Sequence, residues 1–428
     1  MPRRSVASRA MRRPAGVQGT RGGLLEGVRV IESSLLGPGE LTTFLADMGA
    51  DVIKVEPPDG DYVRRMTWPI VNGVSLMHLH LHRGKRSITI DLRKPEGVDV
   101  YLDLVRGADA VVEAMRPGAL ARRGLGYEQL REVNPRIVFC SISGYGATGP
   151  YRDMASHGLA YDTWAGIVKP EYDDDGFCRI PEHPSIGIHA GPLMGALGVL
   201  AGVTRARATG EGCQMEIAQS DAAAYMDWYR IETWRAYERP ESEVTGNASD
   251  NYERREPGTA GMREGVRYQL YESVDGHVLF MASEQLFWRN FCEAVDRMDL
   301  FERWPGAEVA DHARHNLEMQ AELRDIFKTR TSAEWLELAE RVNTAIAPVN
   351  TSKSIADDPQ FQDRFPWIPA ERLDADQIPF PLKVADVEEP VPTRAPTPGE
   401  HSDEVLADVL GYDDERRAAL RDAGVTPA

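Results

Sequence analysis

Val28-Arg29-Val30-Ile31, Gly37-Pro38-Gly39, Leu41 to Met48 and Asp51-Val52-Ile53-Lys54-Val55 follow one another along the chain, and their reading decides the fold. The first run is short and β-branched, which predicts a strand. The Gly-Pro-Gly break ends it. Leu41, Phe44, Leu45 and Met48 recur at helical spacing. Gly49-Ala50 closes that helix and residues 51–55 form the next strand. Strand, helix, strand is the seed of a parallel sheet. The pattern repeats outward, with strands at 87–90, 110–112 and 136–139 and helices at 97–105 and 127–133. A long helix is expected over 191–207, and residues 214–218 form a further strand. The fold class is therefore α/β, a doubly wound parallel sheet in a large domain with a smaller α+β domain after it.

The domain boundaries follow from composition. Residues 1–24 carry arginines at 3, 4, 9, 12, 13 and 21 and read as a disordered basic tail. Residues 25–235 form the large domain. A polar, turn-rich stretch separates it from a small domain at 255–345. Residues 346–428 are a proline-rich return that completes the large domain.

The chain has 428 residues, too many for one ordinary core. Its 42% hydrophobic and 27% charged content is that of a soluble globular protein. No uniformly apolar run approaches the roughly 20 residues of a membrane span. Four scattered cysteines form no C-x-x-C pair, which fits a reducing cytoplasm. A net charge of −18 argues against nucleic acid as a partner. A local basic pocket for an anion remains compatible with it.

Several residues carry candidate chemistry. A glycine break between strand and helix, as at Gly37-Pro38-Gly39, lets backbone N–H groups face a phosphate; the same break also serves as an ordinary turn. Arg83, Lys85 and Arg86 cluster before a strand and can hold phosphates, although such clusters are usually solvated. His78, His80 and His82 alternate, so on a strand they would share a face. No carboxylate or cysteine lies near them in sequence to complete a metal shell, and no metal is expected. His157, in a glycine-rich loop, has the side chain of a general acid or base near neutral pH. Trp164, Tyr161, Trp228, Tyr229 and Trp234 line an apolar pocket or are simply core. No G-x-S-x-G elbow supports a serine nucleophile.

Taken together, these segments resemble the class III coenzyme A transferase family, which includes formyl-CoA transferases, carnitine CoA-transferases and α-methylacyl-CoA racemases. The matching residues are Leu45 to Glu56, Arg83 to Leu92, Arg116-Pro117-Gly118, Gly124-Leu125-Gly126-Tyr127, Asn134-Pro135-Arg136, Ser143-Gly144-Tyr145-Gly146 and Thr209-Gly210-Glu211-Gly212. Ala347 to Thr351 and Ala395 to His401 also fit, so the likeness runs over about residues 25–425. The resemblance implies a coenzyme A thioester and a carboxylic acid as substrates, and two subunits threaded through each other as an interlocked dimer. It implies nucleotide contacts from Lys85 and Arg122, with the Gly37-Pro38 turn beside the same ligand. Leu35, Leu36, Ala114 and Cys213 depart from the residues common at their positions.

The largest departure is chemical. The family attacks the thioester with an aspartate carboxylate. Counting back from Gly198-Val199-Leu200-Ala201, that residue falls at 187–189, where this chain has Gly187, Ile188 and His189. Residues 157–166 match the racemase histidine segment, with His157 as its histidine, but the racemase aspartate is the same missing residue. Three readings follow. The aspartate sits on a homologous partner subunit, as in relatives such as benzylsuccinate CoA-transferase. Alternatively, a homodimer works as an acyl-CoA transferase or racemase with an altered site using His157 or His189. Or the chain is a non-catalytic subunit that binds coenzyme A.

Overall fold

The computed structural model describes residues 23–246, 252–254, 262–307, 310–385, 387 and 390–427. The basic segment before Gly23 lies outside the described residues. Two units are present: one runs to Asp227 and resumes at Phe365, and the other spans Trp228–Arg364.

The first unit is built on six parallel strands: β1 (Arg29–Ser33), β2 (Asp51–Glu56), β3 (Lys85–Thr89), β4 (Ala110–Glu113), β5 (Val138–Ser143) and β6 (Cys213–Ala218). Their spatial order is β6-β5-β4-β1-β2-β3, with every neighbouring pair parallel. Successive side chains on a strand face opposite sides, and both sides are apolar here. Ile31, Ile53 and Val111 pack with Tyr101, Leu104 and the C-terminal Leu406. Val30, Val52 and Val112 pack with Leu41 and Leu45 of α1 (Glu40–Asp47) and with Val199 of α6 (Gly187–Thr209). Burial on both faces is what a doubly wound sheet requires. The strand order reverses between β1 and β4. Open α/β sheets place ligands at such a point.

The C-terminal return seals the β3 edge. His401 N–H donates to the Ser87 carbonyl at 2.9 Å, and Ser87 N–H donates to Nδ1 of His401 at 3.2 Å. An edge strand covered in this way offers no free ladder to another chain. The unit Trp228–Arg364 has its own antiparallel sheet (Tyr268–Glu272, His277–Met281, Ile346–Pro348). Its core is aromatic, with Trp288, Phe291, Phe327 and Trp335 fully buried.

Two local expectations change. Helix α6 starts at Gly187, four residues earlier than its leucine spacing indicates. The Asp162 carboxylate causes this: it accepts from Ile186 N–H at 3.0 Å and Gly187 N–H at 2.7 Å, which caps the extra turn. The histidines at 78 and 80 lie on helix α2 (Leu76–Leu81), not on a strand. Helical spacing of four then brings His78 and His82 together, ring centres 4.4 Å apart. Helix α6 is also long and apolar enough to span a membrane by composition, but half of that window is buried in the protein. It packs as a core helix.

Gly212 enters β6 with no room for a side chain: a Cβ there would lie 1.9 Å from the Ile137 carbonyl oxygen. Backbone must move to relieve such a contact, so Gly212→Ala should destabilise the chain by about 1–3 kcal/mol. Thermal denaturation of the variant against wild type measures it, and an unchanged Tm would contradict the packing described.

Candidate active site

Glu32 near the end of β1, Lys54 of β2 and Lys85 at the start of β3 form a buried charge network. Lys85 Nζ sits 2.8 Å from Oε2 of Glu32 and donates to the Gly39 carbonyl at 2.8 Å. Lys54 Nζ contacts Glu32 at 3.3 Å, Asp61 at 3.2 Å and the Ser34 carbonyl at 2.7 Å. Ser34 and Thr42 hydroxyls complete the Glu32 carboxylate. Burial alone would raise the Glu32 pKa, but Lys85 and Lys54 overcome it and hold the carboxyl far below the ordinary range. Burial pulls Lys85 down to about 8, against the opposing pull of Glu32.

Arg83 and Lys85, read from the sequence as phosphate-facing cations, are paired inside the protein. Both are buried. Arg83 forms a bidentate pair with Asp47, 2.7 and 3.1 Å, and donates to Gln377 and to the Ile378 carbonyl. The alternation that puts Lys85 on a strand aims it under the Gly37–Gly39 turn, and its charge is already matched there. Arg122 is different. It is exposed on the loop after β4 and has no ion pair among the described residues. Arg116 on the same loop is exposed too. That loop and the Gly37–Gly39 turn leave adjacent strand ends, since Ser33 of β1 is paired with Glu113 of β4.

The fold also brings Asp61 to His78 and His82, with ligand atoms within 4.8 Å of one another, a carboxylate that sequence proximity did not reveal. The geometry is that of a three-ligand cluster, but Lys54 already provides the cation beside Asp61. Glu32, Asp61, Lys54 and Lys85 sum to zero charge, and a divalent ion would leave a buried excess of two. The group is a charge-balanced polar core.

Two glycines meet Ile188. A Cβ on Gly37 would fall 2.3 Å from Ile188 Cγ1, and one on Gly158 would fall 3.2 Å from its Cδ1. Gly187 is closed in by Tyr161 and Gln219, at 2.8 and 2.9 Å from an added Cβ. Of positions 187–189, Ile188 is therefore the one whose side chain stands between the Gly37 turn and the start of α5 (Gly158–Trp164). His157 is exposed as the residue before α5. His189 turns towards α1: its Nδ1 is 2.8 Å from Oε2 of Glu40, with the His189 side chain 62% exposed and that of Glu40 10% exposed. The hydrogen bond to Glu40 raises the His189 pKa above its ordinary value, outweighing burial. Glu40 follows the Gly37-Pro38-Gly39 break directly and carries no catalytic mark in the sequence. An acidic residue in a first helical turn suits the helix dipole, so nothing in the local pattern marked it.

The turn before Glu40 is strained. Leu36 has φ 59° and ψ −146°, a region essentially reserved for glycine. A separate cavity of about 330 Å³ lies at the far end of α1, lined by Met48, Trp367, Ile368 and Phe380. It does not open on Ile188 or Glu40.

Residues 25–402 match CoA-transferase family III, and the chain belongs to that family. The family's substrate is a coenzyme A thioester. Among similar curated proteins is the succinyl-CoA–L-malate CoA-transferase beta subunit of Chloroflexus aurantiacus, 30% identical with 93% of this chain and 96% of that one covered. Another is the succinyl-CoA:mesaconate CoA-transferase of Haloarcula hispanica, 31% identical over 90% and 96% of the two chains. The human succinyl-CoA:glutarate CoA-transferase is 28% identical over 94% and 89%. In fold, the chain is similar to a CAIB/BAIF family protein from Brucella suis, with TM-score 0.72, 24% identity, and 91% and 100% of the chains covered.

Two predictions separate the cations. Lys85→Met should destabilise the fold by about 3–5 kcal/mol, because it strands the Glu32 charge. Arg122→Ala should leave stability unchanged and weaken coenzyme A binding by about 1.5–3 kcal/mol, the strength of one hydrogen bond to a charged group. Denaturant titration and calorimetry measure the two. A destabilised Arg122→Ala with unaltered affinity would remove Arg122 from the site.

The buried histidines give a pH prediction. Burial pushes His78 down to about 3 and His80 to about 4 from an ordinary 6.5. The unfolded chain therefore binds more protons below about pH 6.5, and stability falls as pH drops from there towards 4. His78→Leu should shrink the Tm difference between pH 7 and pH 5. An identical pH profile in that variant would show that His78 is not buried and neutral.

Proposed function

We propose that the chain transfers coenzyme A from an acyl-CoA to a carboxylic acid acceptor, working in the cytoplasm as one subunit of an interlocked dimer. The observation that supports the reading is the β1–β4 switch point, where the Gly37–Gly39 turn and the loop carrying the exposed Arg122 leave adjacent strand ends. The acceptors named for the similar proteins, malate, mesaconate and glutarate, are all dicarboxylic acids. Small dicarboxylates and their CoA esters are the substrate class to try first.

Exposed aromatic side chains support association. Tyr225 is 68% exposed, Trp228 51%, Tyr229 61% and Trp234 54%. Such surface on a folded chain marks an interaction site. Of the five aromatics read as pocket lining or core, Tyr161 alone is buried; Trp164, Trp228, Tyr229 and Trp234 stand at the surface.

A second reading concerns the source of the carboxylate. A homologous partner supplies it, as the apolar Ile188 and the relative named as a beta subunit both favour. Material copurified from the native host should exchange CoA between succinyl-CoA and one of the dicarboxylates. Light scattering at micromolar concentration should give a dimer. A monomer would sink the interlocked arrangement, and an absence of exchange with any acid pair would sink the transferase reading.

A further inference from the structure

Four carboxylates near the ends of β1 and β4 and the starts of α1 and α6 have different surroundings. Glu32 is locked between two lysines. Glu113 is buried and accepts from Ser141 and from Met115 N–H. Asp162 is fully buried and caps α6. Glu40 alone among these pairs with an exposed side chain and retains exposure of its own, 10% of its side chain. It sits three residues after Gly37, against which Ile188 packs, and its partner His189 is the next residue after Ile188.

We infer that Glu40 is the nucleophile of this chain, with His189 as the cation that holds its charge; the inference rests on the transferase reading above. Moving CoA between two acids without losing the thioester requires an acceptor that water does not replace. A mostly desolvated carboxylate meets that need, because its acyl anhydride remains reactive towards a thiolate. The Glu40 carboxylate adds to the thioester carbonyl, the C–S bond breaks, and coenzyme A leaves as thiolate. The thiolate then attacks the glutamyl carbonyl of the anhydride. The donor acid leaves as carboxylate and Glu40 carries the coenzyme A thioester. The acceptor carboxylate attacks that thioester, coenzyme A leaves again as thiolate, and its attack on the acceptor's acyl carbonyl releases the new acyl-CoA and free Glu40. No proton or electron is consumed.

Anhydride formation moves one negative charge from the Glu40 oxygens to the coenzyme A sulfur. An imidazolium 2.8 Å from Oε2 can serve both anions, since the half-exposed ring is free to follow the charge. Its Nδ1 is committed to Glu40, which leaves Nε2 as the second donor of an exposed side chain. His189 is thereby a positioning residue for the carboxylate and an electrostatic partner for the thiolate.

The test uses the full chain with succinyl-CoA. Peptide mass spectrometry of wild type should find coenzyme A on the peptide that contains Glu40, and hydroxylamine should convert it to a hydroxamate at that residue. Glu40→Gln should abolish both the adduct and CoA exchange, while Glu40→Asp should retain some of each. His189→Gln should keep the adduct site and lower kcat by about 100-fold, the usual cost of removing one preorganised donor. Wild-type labelling needs no variant, so a Glu40→Gln chain that fails to fold does not blunt the experiment. Exchange with the adduct on another residue, or on a copurified partner chain, overturns Glu40 and leaves the transferase reading standing. Exchange that persists in Glu40→Gln does the same. No exchange and no adduct in wild type overturns both.

Discussion

The Lys85 ammonium beneath the Gly37–Gly39 turn is the contact on which the rest of the site depends. It joins three elements at once: β3 through its own backbone, β1 through Glu32, and the turn through the Gly39 carbonyl. Two buried lysines and two buried carboxylates cancel in charge, so the cluster avoids the large desolvation cost of a lone ion. Hydroxyls of Ser34 and Thr42 satisfy the remaining Glu32 lone pairs. A cluster satisfied in this way fixes geometry, because any displacement leaves a charge without its partner. The Gly39 carbonyl is thereby held, and the first residue of α1, Glu40, has its direction set.

A second constraint approaches from the other side. Asp162 caps α6 at Ile186 and Gly187, and so decides which side chains of 187–189 face which neighbours. Gly187 faces Tyr161, Ile188 faces Gly37 and Gly158, and His189 faces Glu40. Pro192 lies one turn further along and has no N–H to offer the Ile188 carbonyl. The strained Leu36 lies in the same turn. Strain is retained only where the surroundings enforce it, and here the Lys85–Gly39 contact and the packed Ile188 enforce it from opposite sides.

The sheet was legible because it is written locally. β-Branched runs at 28–31 and 51–55 and the helical spacing of Leu41, Leu45 and Met48 need no distant partner to be read. The site was legible only in part. Lys85 reads as a basic cluster in sequence, but strand alternation and Glu32, 53 residues away, turn it inward. The start of α6 depends on Asp162, which lies in a different helix. Glu40 carries no signal by itself; its meaning comes from His189, 149 positions later. Asp61 reaches His78 and His82 only after the chain folds back on itself. Each miss is a long-range electrostatic contact, the class of interaction that periodicity does not encode.

The apolar residue at 188 is consistent with the charges around it. A side chain there packs onto two glycines; Arg83 and Lys85 are already paired within the protein, and the His189 ring pairs with Glu40 of α1. An ionised carboxylate at 188 would be partly desolvated, next to its own carbonyl, which receives no helical bond from residue 192, so its charge would be poorly compensated. Isoleucine fills the same space and gains from burial. At Glu40, by contrast, a carboxylate has both the helix dipole of α1 and the His189 ring to hold it. The exposed His189 ring and the start of α1 therefore favour a carboxylate at position 40, while the two glycines around position 188 favour an apolar side chain.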